Sequence, residues 1–387
     1  KEECEQIRDQ YGDDRRSIIQ YDATNFRIED TIPDDKVVIT ISHMGYIKRT
    51  LLTEYRAQAR GGIGSKGSSV RSEDFVEHIF MATNHNYILF FTEKGRCYWK
   101  RAFEIPEGGK DSKGRAILNL INIEPDDKVK AYINVLNLSD EEYINNHYIV
   151  LCTKNGIIKK TTLEAYSRPR TNGIIAVNIR EDDELLEARL TDGQSELLIA
   201  SRYGKVVRCN EEEFRPMGRG ASGVKGITLG GEDDYVIGML AVDNREDSIM
   251  VVSENGFGKR SDLEEYRATH RGGKGVKTIQ ITDKTGMLVA ISNVTDDHDL
   301  MIINRSGITI RMHVADLRIL GRNTQGVKLI ELRKKDSIAS ITKVDAQPDE
   351  PETVTHEGEE SAETPNISTE GQTPAEGTNE TPQTTEE

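Results

Sequence analysis

No stretch of about 18 consecutive apolar residues occurs in this 387-residue chain, so no segment has the length and hydrophobicity of a membrane-spanning helix. The amino end, KEECEQIRDQYGDDRR, has no apolar core of a secretory signal, and a cytoplasmic protein without membrane contact is expected. Cysteine is scarce. Cys4, Cys97, Cys152 and Cys209 show neither Cys-x-x-Cys pairing nor a regular framework, and the last three sit in apolar, strand-like runs, where free core thiols are expected. The eight histidines have no His-Glu-x-x-His or zinc-finger spacing, so no bound metal is expected. No segment satisfies Gly-x4-Gly-Lys-Ser/Thr, which argues against a nucleotide-binding P-loop. Helical periodicity is nearly missing, with Glu2 to Gln10 as its main candidate, and the fold class expected is all-β.

A surplus of positive charge is also lacking, because the net charge is −15. Its distribution is uneven. From Asp345 to Glu387 there are 13 acidic residues and no Lys or Arg, which leaves 51 basic against 53 acidic residues before Asp345. The last segment holds five of the ten prolines and no Phe, Tyr or Trp, so it cannot bury enough apolar area to offset the entropy of ordering. A disordered acidic tail over 345–387 is expected, either as a solubilising appendage or as a polyanion that competes for a basic face of the same molecule.

What the chain does have is a repeat. A β-prone run meets a turn glycine at Gly45, Gly95, Gly156, Gly204, Gly256 and Gly307, about 50 residues apart except for one gap of 61 between Gly95 and Gly156. Each glycine follows a run such as VVITIS, YILFFT or YIVLCT and precedes another, which is the pattern of a hairpin whose turn needs a positive φ. Ten residues past the turn glycine stand Tyr55, Tyr166, Phe214, Tyr266 and Leu317, expected as core anchors, with Phe103 two residues early in the second unit. A second glycine follows at Gly64, Gly114, Gly173, Gly223, Gly275 and Gly326, leading into a further β-prone run. About four strands per unit and six units describe a six-bladed propeller over residues 21–344, preceded by a connecting segment over 1–20.

Basic residues recur in the same register. Four residues past the turn glycine stand Arg49, Lys160, Arg208, Arg260 and Arg311, replaced by Trp99 in the second unit with Lys100 and Arg101 just beyond. An isolated cation on a strand is ordinarily a solvated side chain. A cation repeated in every blade of an array is expected to form a belt, able to neutralise phosphates without reading bases. The glycine-rich loops RGGIGSK (Arg60 to Lys66), GRGASGVK (Gly218 to Lys225) and RGGKGVK (Arg271 to Lys277) set flexible backbone beside Lys and Arg, so they either approach phosphate closely or simply permit tight crossings between blades.

Several phrases are specific. YGDDRRS (Tyr11 to Ser17), GYIKRTLLTEYRAQ (Gly45 to Gln58), NGIIKKT (Asn155 to Thr161), GKVVR (Gly204 to Arg208), NGFGKR (Asn255 to Arg260) and GRNTQGV (Gly321 to Val327) resemble the C-terminal domain of DNA gyrase A, part of a type IIA topoisomerase, over nearly the whole ordered length. The resemblance implies a β-pinwheel, a propeller-like disc whose blades exchange strands, bending double-stranded DNA around a basic rim. It implies a non-catalytic role within an ATP- and Mg2+-dependent bacterial enzyme containing the rest of gyrase A together with gyrase B, where the wrap directs strand passage toward negative supercoils. No cofactor is implied for this domain itself.

The family's signature loop is matched by Gln58, Arg60, Gly61, Gly62 and Gly64, with Ala59 and Ile63 standing where the family usually has Lys or Arg. The fifth-unit loop, His270 to Gly275, keeps the second basic residue at Lys274 and is more box-like. Expected DNA contacts are therefore Arg60, Lys66, Arg271 and Lys274 in the loops and the five belt cations. The corresponding domain of topoisomerase IV, presenting DNA crossings without strong wrapping, is the nearest alternative, and six complete units with a largely retained box favour gyrase. A propeller enzyme would need acids, bases or metal ligands converging from several blade starts, and no such recurrent set appears. A protein-binding scaffold would not need the repeated cations.

Overall fold

The computed structural model describes residues 1–13, 17, 28–54, 74, 76–109, 112–243, 247–306, 309–333 and 336–345. Nearly all regular structure is β, as the run-and-turn pattern implies, and the sheets form a six-bladed β-propeller between Lys36 and Asp345. The helix Glu2–Tyr11 buries no residue. A second helix, Glu141–Asn146, was not foreseen. Asp140 caps it, its carboxylate accepting from the backbone N–H groups of Glu142 and Tyr143, and its insertion accounts for the one long interval between turn glycines.

Each unit builds one hairpin, for which the fourth serves as example. Glu196–Ser201 pairs antiparallel with Lys205–Asn210, with Leu198 opposite Arg208, and on its other side with Val236–Val242. The turn glycines Gly45, Gly95, Gly156, Gly204 and Gly256 all take positive φ, between 68° and 80°. The outermost strand of the blade comes from elsewhere: Val276–Lys277, from the fifth unit, pairs with Lys205 and Val206. The same donation recurs, with Arg115–Ala116 completing the first blade, Ile174–Ile175 the second, Val224–Lys225 the third and Val327–Lys328 the fifth. The strand exchange implied by the resemblance is thus present in five blades. Among the described residues the sixth sheet has three strands.

The innermost strands face one another around the axis. Leu185–Thr191, Val236–Val242, Leu288–Val294 and Ile338–Asp345 contact in succession, and Ile338–Asp345 also meets Val76–Thr83 of the first blade. The core therefore lies between blades rather than within one. Successive residues of a strand point to opposite faces, so Leu197 and Ile199 pack toward the third blade while Leu198 and Ala200 pack toward the fifth. Both faces are buried, which is why these strands read as unbroken apolar runs.

Tyr166, Phe214, Tyr266 and Leu317 are buried at the blade seams as the anchor pattern predicts. In the second unit the anchor is Ile105, ten residues past Gly95 and fully buried, whereas Phe103 is only half-buried, so the register is kept and Phe103 is not the anchor. Tyr55 lies outside the described residues. Cys97, Cys152 and Cys209 are buried free thiols, and burial pushes the Cys209 thiol up to about 12, while Cys4 is exposed.

Candidate nucleic-acid interface

The cations four residues past the turn glycine do not form a solvent-facing belt. Lys160 and Arg208 are almost wholly buried, Arg260 keeps 8% of its side chain exposed and Arg49 12%. Arg49 binds Asn84 at 2.7 Å and Glu107 at 2.8 Å, and Lys160 meets the fully buried Glu211 at 2.9 Å. Arg208 binds Glu196 at 2.7 Å and donates to the carbonyls of Leu263 and Tyr266 at 2.8 and 2.9 Å. Arg260 pairs with Asp296, and Arg311, the most exposed at 41%, pairs with Asp299.

The reason lies in strand position. These residues sit on the second hairpin strand, over which the following unit's loop crosses: Arg49 N–H donates to Pro106 O, while Met217, Thr269 and Leu320 donate their N–H groups to the carbonyls of Lys160, Arg208 and Arg260. A cation there is buried by the crossing and must be paired within the fold. Trp99 does the same work in the second unit, its indole N–H donating to Tyr166 O at 3.1 Å. At Arg49, Lys160, Arg208 and Arg260 the expected belt is therefore a set of staples between blades, while Arg311 is paired within its own sheet.

The glycine-rich loops behave differently. Gly114, Gly173, Gly223, Gly275 and Gly326 take positive φ at the crossing, and a Cβ on any of them would collide with the preceding blade's outer hairpin strand, at 2.5 Å from Ile47 O for Gly114 and 2.6 Å from Val206 O for Gly275. Their glycines serve the crossing. The charges beside them face outward: Arg271 and Lys274 are exposed, and with Arg267 and His270 they line a cavity of about 470 Å³. This loop is fastened from behind, where Glu213 accepts from Arg271 N–H at 2.8 Å and Gly272 N–H donates to Gly226 O at 2.6 Å. A second cavity, of about 420 Å³, is lined by Arg96, Arg170 and Arg219 with Gly173 and Gly220.

A second register of cations runs through these loops, and of its members the sequence reading singles out Arg271 alone as a DNA contact. Arg215, Arg267 and Arg318 stand eleven residues past their turn glycines, Arg219, Arg271 and Arg322 fifteen past, and Lys225, Lys277 and Lys328 twenty-one past. Counting further along the same repeat finds them. The first two positions lie in the loops and the third ends the donated strand, the outer edge of its blade. The side chains of Arg215, Lys225, Arg267, Arg271, Lys274, Lys277 and Arg318 make no ion pair among the described residues, whereas Lys328 meets Glu331 at 3.0 Å. Lys277 pairs across the ladder with Lys205, a like-charge neighbour that a fold alone would not favour.

The box residues Gln58, Arg60, Gly61, Gly62, Gly64 and Lys66 lie outside the described residues, as do Gly307 and the acidic tail beyond Asp345. Among the described residues no group of three or more His, Cys, Asp or Glu side chains is placed to hold a metal ion, and no helix is long and apolar enough to cross a membrane.

Comparison with known proteins agrees with this architecture. The DNA gyrase A protein of Staphylococcus aureus (strain COL) is 43% identical over 366 residues, covering 94% of this chain and 40% of the relative. The protein of strain MRSA252 is 42% identical over 367 residues, covering 93% and 41%. The chain thus spans about two fifths of the length of these relatives. The C-terminal domain of DNA topoisomerase IV superposes with a TM-score of 0.68 at 24% identity, covering 81% of this chain and 94% of its own. A DNA gyrase A C-terminal domain gives 0.65 at 23% identity, covering 80% and 99%. These two likenesses concern the fold. The model of the DNA gyrase C-terminal domain, beta-propeller, matches six times, at residues 36–83, 86–131, 147–192, 195–243, 247–295 and 298–345, one match for each blade. With six blades, six matches and strands exchanged between neighbours, the chain belongs to the DNA gyrase C-terminal β-propeller domain family.

Proposed function

We propose that this chain binds double-stranded DNA along its outer edge without reading sequence and bends it into a wrap of fixed hand. The observation that carries the proposal is the threefold recurrence, in the fourth, fifth and sixth units, of loop and edge cations at the same three places, most of them unpaired, on a disc whose net charge, these cations included, is near zero. Charges so placed neutralise phosphates and release counterions, which gives affinity that falls by about 0.9 log unit per log unit of salt for each phosphate engaged. Bending a short duplex costs on the order of a few kcal/mol, so several blades must hold it together.

By kinship with DNA gyrase A proteins, the chain supplies geometry to a bacterial cytoplasmic, nucleoid-associated enzyme. The rest of gyrase A together with gyrase B supplies cleavage and the use of ATP and Mg2+, and the wrap directs strand passage toward negative supercoils. The domain itself needs no cofactor and catalyses nothing.

The test is topological. Chain 1–345 and chain 1–387 are incubated with relaxed circles, the circles are sealed by a nicking-closing enzyme, and linking number is compared. A positive shift with 1–345 establishes chiral wrapping, and a smaller shift with 1–387 makes the acidic tail an inhibitor. Binding without any shift transfers the chain to the topoisomerase IV-like role of presenting DNA crossings.

A further inference from the structure

Three lysines are buried with the cationic loops resting on them. They stand three residues past the turn glycine in the first, third and fifth units, Lys48, Lys159 and Lys259, where the other units have Tyr98, Val207 and Ile310. Each Nζ reaches across the seam into the loop of the following unit. Lys48 donates to Gly109 O at 3.2 Å and Ser112 O at 3.0 Å. Lys159 donates to Ala176 O of its own unit at 2.5 Å and, across the seam, to the carbonyl of Arg219 itself. Lys259 donates to Gly321 O at 2.6 Å and to the Thr324 hydroxyl at 3.2 Å, on either side of Arg322. All three side chains are 1–2% exposed, and among the described residues no carboxylate pairs with Lys159 or Lys259.

An ammonium buried without a counter-charge is costly, and a fold that only needed to pin a loop would use a neutral donor. The arginines held this way are the ones fifteen residues past the turn glycine, and Arg219 also lines the three-arginine cavity with Arg96 and Arg170. Lys159 therefore lies behind a surface that concentrates positive charge, and Lys259 lies behind Arg322. A phosphate seated on the arginine supplies, from outside, the counter-charge that the interior lacks.

We propose that Lys159 and Lys259 are positioning residues whose buried ammonium groups fix the loops bearing Arg219 and Arg322 for phosphate, so that DNA binding is linked to proton uptake above neutral pH. The inference rests on the DNA-binding role proposed above. The groups facing each ammonium agree with it. Burial, and then Arg219, push Lys159 down to about 8. Around it the Tyr166 hydroxyl and Cys97 thiol are raised by burial and stay neutral through this range. Burial is also the main cause that brings Lys259 down to about 8, with Arg322 lowering it further and Glu265 opposing, while the buried Tyr266 hydroxyl beside it is raised. Bound phosphate favours the charged lysine, and by reciprocity the charged lysine favours bound phosphate.

The experiment measures affinity for a linear duplex at low salt from pH 7 to 9, with calorimetry in two buffers of different ionisation enthalpy. The proteins compared are the full chain, the double variant Lys159→Met/Lys259→Met, and Lys159→Arg/Lys259→Arg. The native chain is expected to lose about fivefold in affinity per lysine across this range and to take up a fraction of a proton per lysine on binding near pH 8.5. The Met variant should bind weakly at both ends of the range with no uptake, and the Arg variant should keep the pH 7 affinity at pH 9. An equal pH slope in native and Met chains, or no proton uptake near pH 8.5 by the native chain, overturns the inference while leaving DNA binding intact. Failure of the native chain to bind DNA at pH 7 overturns the proposed function and this inference with it.

Discussion

Two sets of cations recur in register along this chain, and the fold treats them oppositely. Arg49, Lys160, Arg208 and Arg260 are folded under crossing loops and paired, whereas Arg215, Arg267, Arg318 and their companions stand outside and mostly unpaired. Both sets look alike as sequence. The difference shows that repetition identifies an equivalent environment without saying whether that environment is wet. What decides it is the crossing, since a residue on the second hairpin strand lies beneath the next unit and a residue in the loop lies above it.

The contrast can be broken from either side. The largest effect is expected at a staple. Glu211→Ala leaves Lys160 buried without its partner, above the Tyr148 ring at 4.2 Å, and should cost about 3–5 kcal/mol of stability by guanidinium denaturation. DNA affinity at temperatures where this variant stays folded should change much less. Next in size, the triple variant Arg215→Ala/Arg267→Ala/Arg318→Ala should leave the unfolding midpoint within about 0.5 kcal/mol of the native value, because exposed and unpaired side chains contribute little to the fold. Its salt slope for DNA should fall by about three units, uniformly across sequences. A change in sequence preference instead would refute a phosphate-only interface.

A third test, comparable in size with the first, is a pH dependence of stability. Lys159 and Lys259 lose their protons near pH 8 in the folded chain, while an unfolded lysine holds its proton to about 10.5. Between those values the unfolded chain binds more protons, so native stability rises with pH relative to the Lys159→Met/Lys259→Met variant, and below pH 8 the difference is flat. A native-minus-variant difference that stays constant from pH 7.5 to 10 would mean that neither lysine titrates early.

Much of the fold was legible. The turn glycines fixed the number of blades, and the apolar runs are unbroken because both strand faces meet a neighbouring blade. The donated strand was not legible from the residues themselves, since Val276–Lys277 is two residues long and its partner lies some 70 positions upstream; only the family resemblance implied it. Helix Glu141–Asn146 was missed because six residues carry too little periodicity to stand out. At the site, Arg271 and Lys274 were found because glycines flank them. Arg215, Arg318 and Lys328 were passed over because no glycine stands next to them, although their distance from the turn glycine is the same as that of their equivalents. The staples were misplaced because burial of a cation depends on a loop that arrives about 60 residues later.

Strand donation also sets a timetable for synthesis. A ribosome delivers the chain from the amino end, so the hairpin ending at Asn210 emerges well before Val276–Lys277, the strand that finishes its sheet. Each of the first five blades therefore waits with an open edge until its successor has been made. The growing disc always exposes one unfinished sheet, and only the succeeding unit brings the short strand that covers it.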